Sequence, residues 1–181
     1  MKNILICAVL AALLLTGCQN AVKEGTGQLE KGEYKEAVST FKKAVKEEKG
    51  AAEAYRGLGM AYYEQKDYQP ARDAFLQVID NGGDVTYVLY NLVGVCSMHL
   101  EDYQGALDAF SKGVDLAEKS GDADTKEQDY TDIVREMKFN EIVCHEKLLD
   151  WESARKKATE YVRDYPDDKE AQKEAAFLNT R

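Results

Sequence analysis

Apolar and small residues recur along the chain in pairs of stripes with helical spacing. In the clearest copy, the first stripe falls at positions i, i+3, i+4 and i+7, which places its members on one face of a helix: Tyr55, Leu58, Gly59 and Tyr62. A short polar turn at 66–68 separates this stripe from a second one: Ala71, Ala74, Phe75 and Val78. The pattern predicts two amphipathic helices joined by a turn.

The helix pair is repeated along the chain. Four times an aromatic residue precedes an alanine by three positions, and a phenylalanine or another alanine follows four positions later: Tyr34, Ala37 and Phe41; Tyr68, Ala71 and Phe75; Tyr103, Ala106 and Phe110; Trp151, Ala154 and Ala158. The first two alanines are 34 residues apart, the next two 35 and the last two 48. We expect the surplus of the last spacing around 117–130, with a break at the polar segment 120–124. The period predicts an all-α superhelix, or solenoid, of about four stacked helix pairs.

Small residues inside the stripes indicate where helices approach each other. A glycine lowers helix propensity by about 1 kcal/mol, so Gly59 within a stripe predicts close contact with the partner helix. Ala71 predicts the same contact from the other side. Pro70 is expected in the first turn of the second helix, where its missing N–H costs little.

The cysteines and the overall charge limit the classes of function. Cys96 and Cys144 occupy the slot that Ala61 holds in the clearest copy. Equivalent slots in neighbouring pairs lie about 8–10 Å or more apart, beyond the ~7 Å limit for a disulfide. We expect two small buried core residues, with a disulfide as the alternative. The formal net charge is −9, which argues against nucleic acid as a partner.

The repeat resembles the tetratricopeptide repeat, whose pattern is matched in order by Tyr55, Leu58, Gly59, Tyr62, Ala71 and Phe75. The third unit keeps Tyr90, Val93 and Gly94, the opening helix of the first unit is weak, and the fourth unit is divergent. The resemblance implies a repeat domain over 21–181, with units of about 21–51, 52–85, 86–120 and 131–167. A capping helix is expected within 168–181.

The beginning of the chain has the pattern of an export signal. Lys2 precedes the apolar run Ile4–Leu15, which is too short to span a bilayer comfortably. The ending Leu15-Thr16-Gly17-Cys18 resembles the lipobox of a bacterial lipoprotein. This resemblance implies removal of residues 1–17, acyl chains such as palmitate at Cys18, and a lipid-anchored start at 18–20. The alternative is an ordinary secretory signal with a chance cysteine. An anchored chain would lie on the exported side, at the outer membrane or the extracellular face of the cytoplasmic membrane.

The tetratricopeptide resemblance also implies a concave groove, lined by the first helix of each pair, that holds partner peptides. The residues at the matching positions are Arg56, Met60, Tyr63, Glu64, Asn91, Val95, Met98, His99, Phe139, Val143 and Glu146. The alternative is that Met60, Val95 and Val143 only pack against neighbouring helices. Because these three apolar residues fill groove positions, a basic clamp for a partner's terminal carboxylate is not expected.

The sequence offers little support for an enzyme. Cys144 and His145 are adjacent, so on a helix their side chains point about 100° apart and cannot work as nucleophile and base. No phosphate loop, serine elbow or zinc motif appears, and we expect no metal or cofactor. The sequence therefore favours a non-catalytic, membrane-anchored adaptor for protein or peptide partners. The alternatives are a structural subunit of an envelope machine, such as a secretion or pilus complex, and a self-associating scaffold that forms homo-oligomers.

Overall fold

The computed structural model describes residues 20–46, 50–119 and 128–181, with side chains described from residue 132 in the last segment. All regular structure within these ranges is helical, which confirms the predicted all-α fold. The predicted signal at 1–17, the lipid attachment residue Cys18 and the expected break at 120–124 lie outside them. The helices are α1 (20–30), α2 (Tyr34–Lys46), α3 (Ala51–Glu64), α4 (Tyr68–Asp80), α5 (Tyr87–His99), α6 (Tyr103–Lys119), α7 (Gln128–Lys147), α8 (Trp151–Asp164) and α9 (Lys169–Leu178).

The chain divides into two compact units, Met1–Val85 and Thr86–Arg181. In the described part of unit 1, α2 packs on α3 and α3 on α4, while Val22 and Leu29 of α1 lie against the core formed by α2 and α3. In unit 2, each helix from α5 to α9 packs on the next, and α5 also contacts α7. Both units are therefore built from serial helical hairpins.

The turn within every hairpin has the same backbone geometry. One residue in each adopts a positive φ: Gly32 (75°), Lys66 (61°), Glu101 (60°) and Leu149 (59°). In each case the N–H of the following residue bonds the carbonyl of the residue five positions before it, as in Asp150 to His145 at 2.9 Å, which is the Schellman pattern of a helix C-terminus. The second helix then begins at the aromatic residue, so Tyr68 is the first residue of α4 and not part of the turn as expected.

The predicted seams of small residues are buried. Ala37, Ala71, Ala106 and Ala154 all have 0% exposure. Each is the fourth residue of the second helix of its hairpin. An alanine at this position lets the two helices approach closely. These alanines therefore form part of the buried contact between the two helices of each hairpin.

A large side chain faces a small one across every hairpin. A Cβ added to Gly25 would lie 2.7 Å from the ring of Phe41, and one added to Gly59 would lie 2.5 Å from the ring of Phe75. Gly94 stands against Phe110 in the same way. This confirms the close approach predicted at Gly59. In the fourth hairpin the sizes are exchanged, because Ile142 on α7 and Ala158 on α8 occupy the corresponding positions in one buried cluster.

Two further expectations about the core are confirmed. Cys96 and Cys144 are free thiols, and both are fully buried. The C-terminal helix α9 packs on α8 and buries Ala171 and Leu178, as expected for a cap. Both helices that flank residues 120–127 are long, with 17 residues in α6 and 20 in α7. Within the described ranges, no helix is both long enough and apolar enough to cross a membrane.

Candidate functional site

Four of the predicted groove residues lie on one face of α3 in unit 1: Arg56, Met60, Tyr63 and Glu64. The spacing i, i+4, i+7 and i+8 gives them this common face. Arg56 is already engaged, because its Nη2 donates to the carbonyl of Asp84 at 2.9 Å and its Nε lies 3.6 Å from Glu53 Oε2. The Tyr63 ring meets the Tyr68 ring edge-on at 6.0 Å. Met60 is half-buried and Glu64 is exposed.

Four more predicted residues lie on α5 in unit 2: Asn91, Val95, Met98 and His99. Val95 and Met98 are half-buried and pack against the core of this unit, so they serve as core and as surface. His99 is exposed, at the C-terminal end of the helix. Asn91 is only 9% exposed.

The last three predicted residues lie on α7: Phe139, Val143 and Glu146. Phe139 is half-buried, and its ring meets that of Tyr161 edge-on at 5.6 Å. The carboxyl group of Glu146 lies near that of Glu174 on α9. Burial and, second, the neighbouring carboxyl group of Glu174 raise the pKa of Glu146 to about 7. Glu146 therefore carries a proton part of the time at neutral pH.

The structure brings the predicted residues of α5 and α7 together on neighbouring helices. The side-chain amide of Asn91 links them, because its Nδ2 faces Glu136 Oε2 at 3.5 Å. Its Oδ1 is buried and accepts no hydrogen bond from the described part of the chain. A buried acceptor without a donor is costly, and this oxygen lies beneath the surface formed by α5 and α7.

Beside this surface lies a cavity of about 330 Å³ between α7, α8 and α9. The sequence analysis missed it, although one of its walls is the predicted residue Phe139. We call it the α7–α9 cavity. Its lining combines two aromatic rings, one guanidinium group and four carboxylates: Phe139, Tyr161, Arg135, Asp132, Glu136, Asp168 and Glu170.

A hydrogen-bonded triad at the α7–α9 cavity fixes the three helices. Arg135 donates through Nη2 to Asp168 Oδ2 at 2.6 Å and through Nε to the Tyr161 hydroxyl at 3.0 Å. The Tyr161 hydroxyl donates to the same Asp168 oxygen at 2.9 Å. Asp168 Oδ1 also accepts from the N–H of Ala171 and so caps α9. The bond from Arg135 lowers the pKa of Asp168 to about 2, and that to Ala171 contributes.

A second cavity of unit 2, of about 320 Å³, lies between α6, α7 and α8 and is strongly charged. Its cations are paired: Lys138 lies 3.3 Å from Glu118 and 3.5 Å from Asp164, and Lys157 lies 2.7 Å from the buried Glu141. These ion pairs join neighbouring helices, so the arrangement supports a structural role.

Unit 1 has an open hollow of about 440 Å³ on the side of α3 opposite the predicted groove face. Tyr55, Leu58 and Tyr62 line it from α3, and Pro70 and Leu76 from α4. Leu76 is 40% exposed. This apolar surface competes with the groove face as a place for a partner of unit 1.

The candidate nucleophile is unsuited to catalysis. Burial and, second, the charge of Glu141 raise the pKa of the Cys144 thiol to about 12, so the reactive thiolate is disfavoured. The neighbouring His145 places its Nδ1 3.2 Å from Asp150 Oδ2. Among the residues that the structure describes, no group of three or more His, Cys, Asp or Glu side chains is arranged to hold a metal ion.

Comparison with known proteins supports the repeat assignment. Residues 22–85 match the family model of the tetratricopeptide repeat. A comparison with curated proteins finds no match. Several solved structures are similar in fold. One is YrrB, described as a TPR protein with an unusual peptide-binding site, which is 19% identical with a TM-score of 0.70 over 88% of this chain and 75% of YrrB.

Two other solved structures show the same fold at low identity. MamA from Desulfovibrio magneticus is 18% identical, with a TM-score of 0.69 over 91% of this chain and 85% of that chain. The pilF protein of Pseudomonas aeruginosa is 14% identical, with a TM-score of 0.59 over 91% and 68%. Residues 22–85 therefore match the tetratricopeptide repeat, and the chain has the all-α solenoid fold of solved tetratricopeptide repeat proteins.

Proposed function

We propose that this protein is a non-catalytic, lipid-anchored adaptor of the bacterial cell envelope that binds protein or peptide partners on the first helices of its repeats. The observation that carries the proposal is the surface of α5 and α7, where half-buried apolar side chains adjoin a buried, unsatisfied amide oxygen: Val95, Met98, Phe139 and Asn91. Half-buried apolar side chains beside a polar amide suit a peptide that brings apolar groups and a few hydrogen bonds. The similarity of fold to YrrB, whose description names a peptide-binding site, is in line with this role.

The anchor rests on the sequence. Leu15-Thr16-Gly17-Cys18 follows the apolar run Ile4–Leu15, and acyl chains at Cys18 would hold the protein at a membrane because each buried methylene contributes about 0.8 kcal/mol. In a bacterial host, Cys18→Ser should move the protein from the membrane fraction to the soluble exported fraction. A variant that stays in the membrane fraction with an uncleaved signal would argue against lipid anchoring at this residue.

Site-specific photo-crosslinking in intact cells tests the binding surface. A photoreactive amino acid at Met98 on α5 should give discrete crosslinked products, whereas the same group at Lys112, an exposed position on α6, should not. The triple variant Met60→Ala, Tyr63→Ala, Met98→Ala should lose stable partner capture in detergent extracts while it keeps its helical circular dichroism. Equal crosslinking from both positions, or unchanged capture by the triple variant, would contradict the proposed surface.

A scaffold that self-associates, or that supports a larger envelope complex, is the second candidate. It is favoured by large apolar side chains left at the surface, among them Leu149 at 69% exposure and Phe177 at 45%. Light scattering of the protein at increasing concentration decides the question of self-association. A constant monomer mass would leave the adaptor as the better account.

A further inference from the structure

The charges around the α7–α9 cavity are unbalanced. Four carboxylates line it against one guanidinium group, and that group is already committed, because Arg135 donates to Asp168 at 2.6 Å and to Tyr161 at 3.0 Å. Glu136 on α7 and Glu170 on α9 are both exposed at its rim. The potential inside the cavity therefore favours a cation and opposes an anion.

The walls offer the aromatic surface that a cation also prefers. Phe139 and Tyr161 meet edge-on with ring centroids 5.6 Å apart, and a cation within about 6 Å of a ring face is stabilised by the ring quadrupole. The protein already uses this contact nearby, since the Arg135 guanidinium lies 5.7 Å from the centre of the Tyr165 ring. An incoming cationic side chain could be held between carboxylates and rings in the same manner.

Apart from Arg135 and Tyr161, the polar groups that line the cavity are carboxylates, which accept hydrogen bonds. Asn91 is nine-tenths buried, its Nδ2 faces Glu136 at 3.5 Å, and its Oδ1 receives no hydrogen bond from the described part of the chain. The amide therefore approaches the Glu136 wall of the cavity through Nδ2, and its buried oxygen is not part of the cavity lining. A ligand that satisfies the carboxylates of the lining must bring several N–H donors and no acceptor, which describes a guanidinium or an ammonium group.

We propose that the α7–α9 cavity is a subsite for a basic side chain, arginine or lysine, of the protein segment that lies on the α5–α7 surface. The carboxylates of Glu136 and Glu170 hold the charge, and the Phe139 ring covers its stem. A volume of about 330 Å³ is at the small end for a binding pocket, so it suits one side chain and not a larger molecule. The inference deepens the proposed function and rests on it.

Titration with a matched pair of peptides tests the subsite. The probe is acetyl-Leu-Arg-Leu-amide, and its control is the same peptide with citrulline, which replaces the guanidinium group by a neutral urea of the same shape. On the full-length protein in detergent micelles, amide signals of Glu136, Phe139 and Glu170 should shift with the arginine peptide in nuclear magnetic resonance spectra. The citrulline peptide should bind at least tenfold more weakly, and added salt should weaken the arginine peptide.

Matched variants separate a local site from general attraction to an acidic protein. Glu136→Gln together with Glu170→Gln should weaken the arginine peptide about tenfold. A single Glu160→Gln, which changes the charge of α8 at the other cavity, should leave the affinity within about twofold. Phe139→Leu should weaken binding about threefold by removing the ring. Folding of each variant is checked by its thermal unfolding curve, and these exposed or half-buried positions should leave the curve nearly unchanged.

Three results would overturn the subsite: equal binding of both peptides, equal losses in the cavity and control variants, or shifts spread over the whole surface. None of them would remove the proposed adaptor function, because photo-crosslinking from Met98 could still report a partner on α5. Conversely, a local arginine site without any crosslinked partner in cells would keep the subsite and count against the adaptor.

Discussion

The first three hairpins and the fourth solve the same packing problem with opposite residues. In the first three, a glycine on the first helix receives a phenylalanine from the second: Gly25 and Phe41, Gly59 and Phe75, Gly94 and Phe110. In the fourth, Ile142 is on the first helix and Ala158 on the second, and both are buried. The comparison teaches that the fold needs one large and one small side chain at this crossing, and that either helix can supply the large one.

The family match ends before this packing pattern does, because the third hairpin also pairs a glycine with a phenylalanine, Gly94 with Phe110, and lies outside the match. The matched residues 22–85 cover the first two hairpins, both of the glycine and phenylalanine kind. The fourth hairpin exchanges the two sizes and follows an insertion, yet its Ala154 is as fully buried as Ala71. The architecture is thus preserved where the residue pattern is not.

Breaking one member of the pair should have the largest effect. Phe110→Ala removes a fully buried ring and should cost unit 2 about 3–5 kcal/mol. Gly94→Ile places a branched side chain where even a Cβ would clash with the Phe110 ring and should cost about 3 kcal/mol. Denaturant unfolding, followed by the fluorescence of Trp151, the single tryptophan, measures both losses in the free energy of unfolding of unit 2. Losses below 1 kcal/mol would show that this crossing is not tightly packed.

The cap of the fourth hairpin should give unit 2 a stability that depends on pH in two directions. The pKa of Asp168 is lowered to about 2, so its contribution is complete above about pH 4, its ordinary pKa, and is lost as the pH falls towards 2. The pKa of Glu146 is raised to about 7, so stability decreases as the pH rises from about 4.5 to 7, where the folded state must give up a proton it holds more tightly.

Two variants separate these contributions. Asp168→Asn keeps a side chain that can cap α9 but should remove most of the loss below pH 4. Glu146→Gln should flatten the decrease between pH 4.5 and 7 and leave the acid side unchanged. Thermal unfolding of unit 2 across this pH range, followed by Trp151 fluorescence, measures both pH-dependent changes in stability. If Glu146→Gln keeps the full decrease, the carboxyl pair with Glu174 is not its cause.

The turns should give the smallest effect, and one of opposite sign. Leu149 in the fourth hairpin has a positive φ of 59°, where Gly32 of the first hairpin has 75°. An L-residue with a side chain is strained there, and Leu149 is 69% exposed, so Leu149→Gly should stabilise unit 2 by about 0.5–1 kcal/mol. Gly32→Ala should destabilise unit 1 by a similar amount. If Leu149→Gly destabilises unit 2, the Leu149 side chain contributes more to stability than the strain of its positive φ costs.

The sequence predicted the fold because the features that build it are local and periodic. Gly59 and Ala71 lie within stripes whose spacing alone places them at a helix contact, and Cys96 and Cys144 follow Ala61 by register. The sequence did not reveal the bond from Arg56 to the Asp84 carbonyl, which joins residues 28 positions apart. Such a contact depends on how the loop after α4 returns to α3, and no periodic signal encodes it.

The candidate site was predicted only in part for the same reason. Phe139 was expected to face a groove, and the structure places it at the wall of a cavity. Arg135 and its partners Tyr161 and Asp168 were missed because 26 and 33 residues separate them. The one local signal was an aspartate before the last helix, which is typical of an N-cap. It shows where α9 begins and not which arginine reaches it.

A double-mutant cycle at the third hairpin tests the central claim most directly. Gly94→Ile with Phe110→Ala gives this crossing the residues of the fourth hairpin, Ile142 and Ala158. If the crossing requires one large and one small side chain regardless of helix, the double variant should be at least 2 kcal/mol more stable than the sum of the two single losses predicts. Losses that simply add, measured by denaturant unfolding with Trp151 fluorescence, would contradict the account.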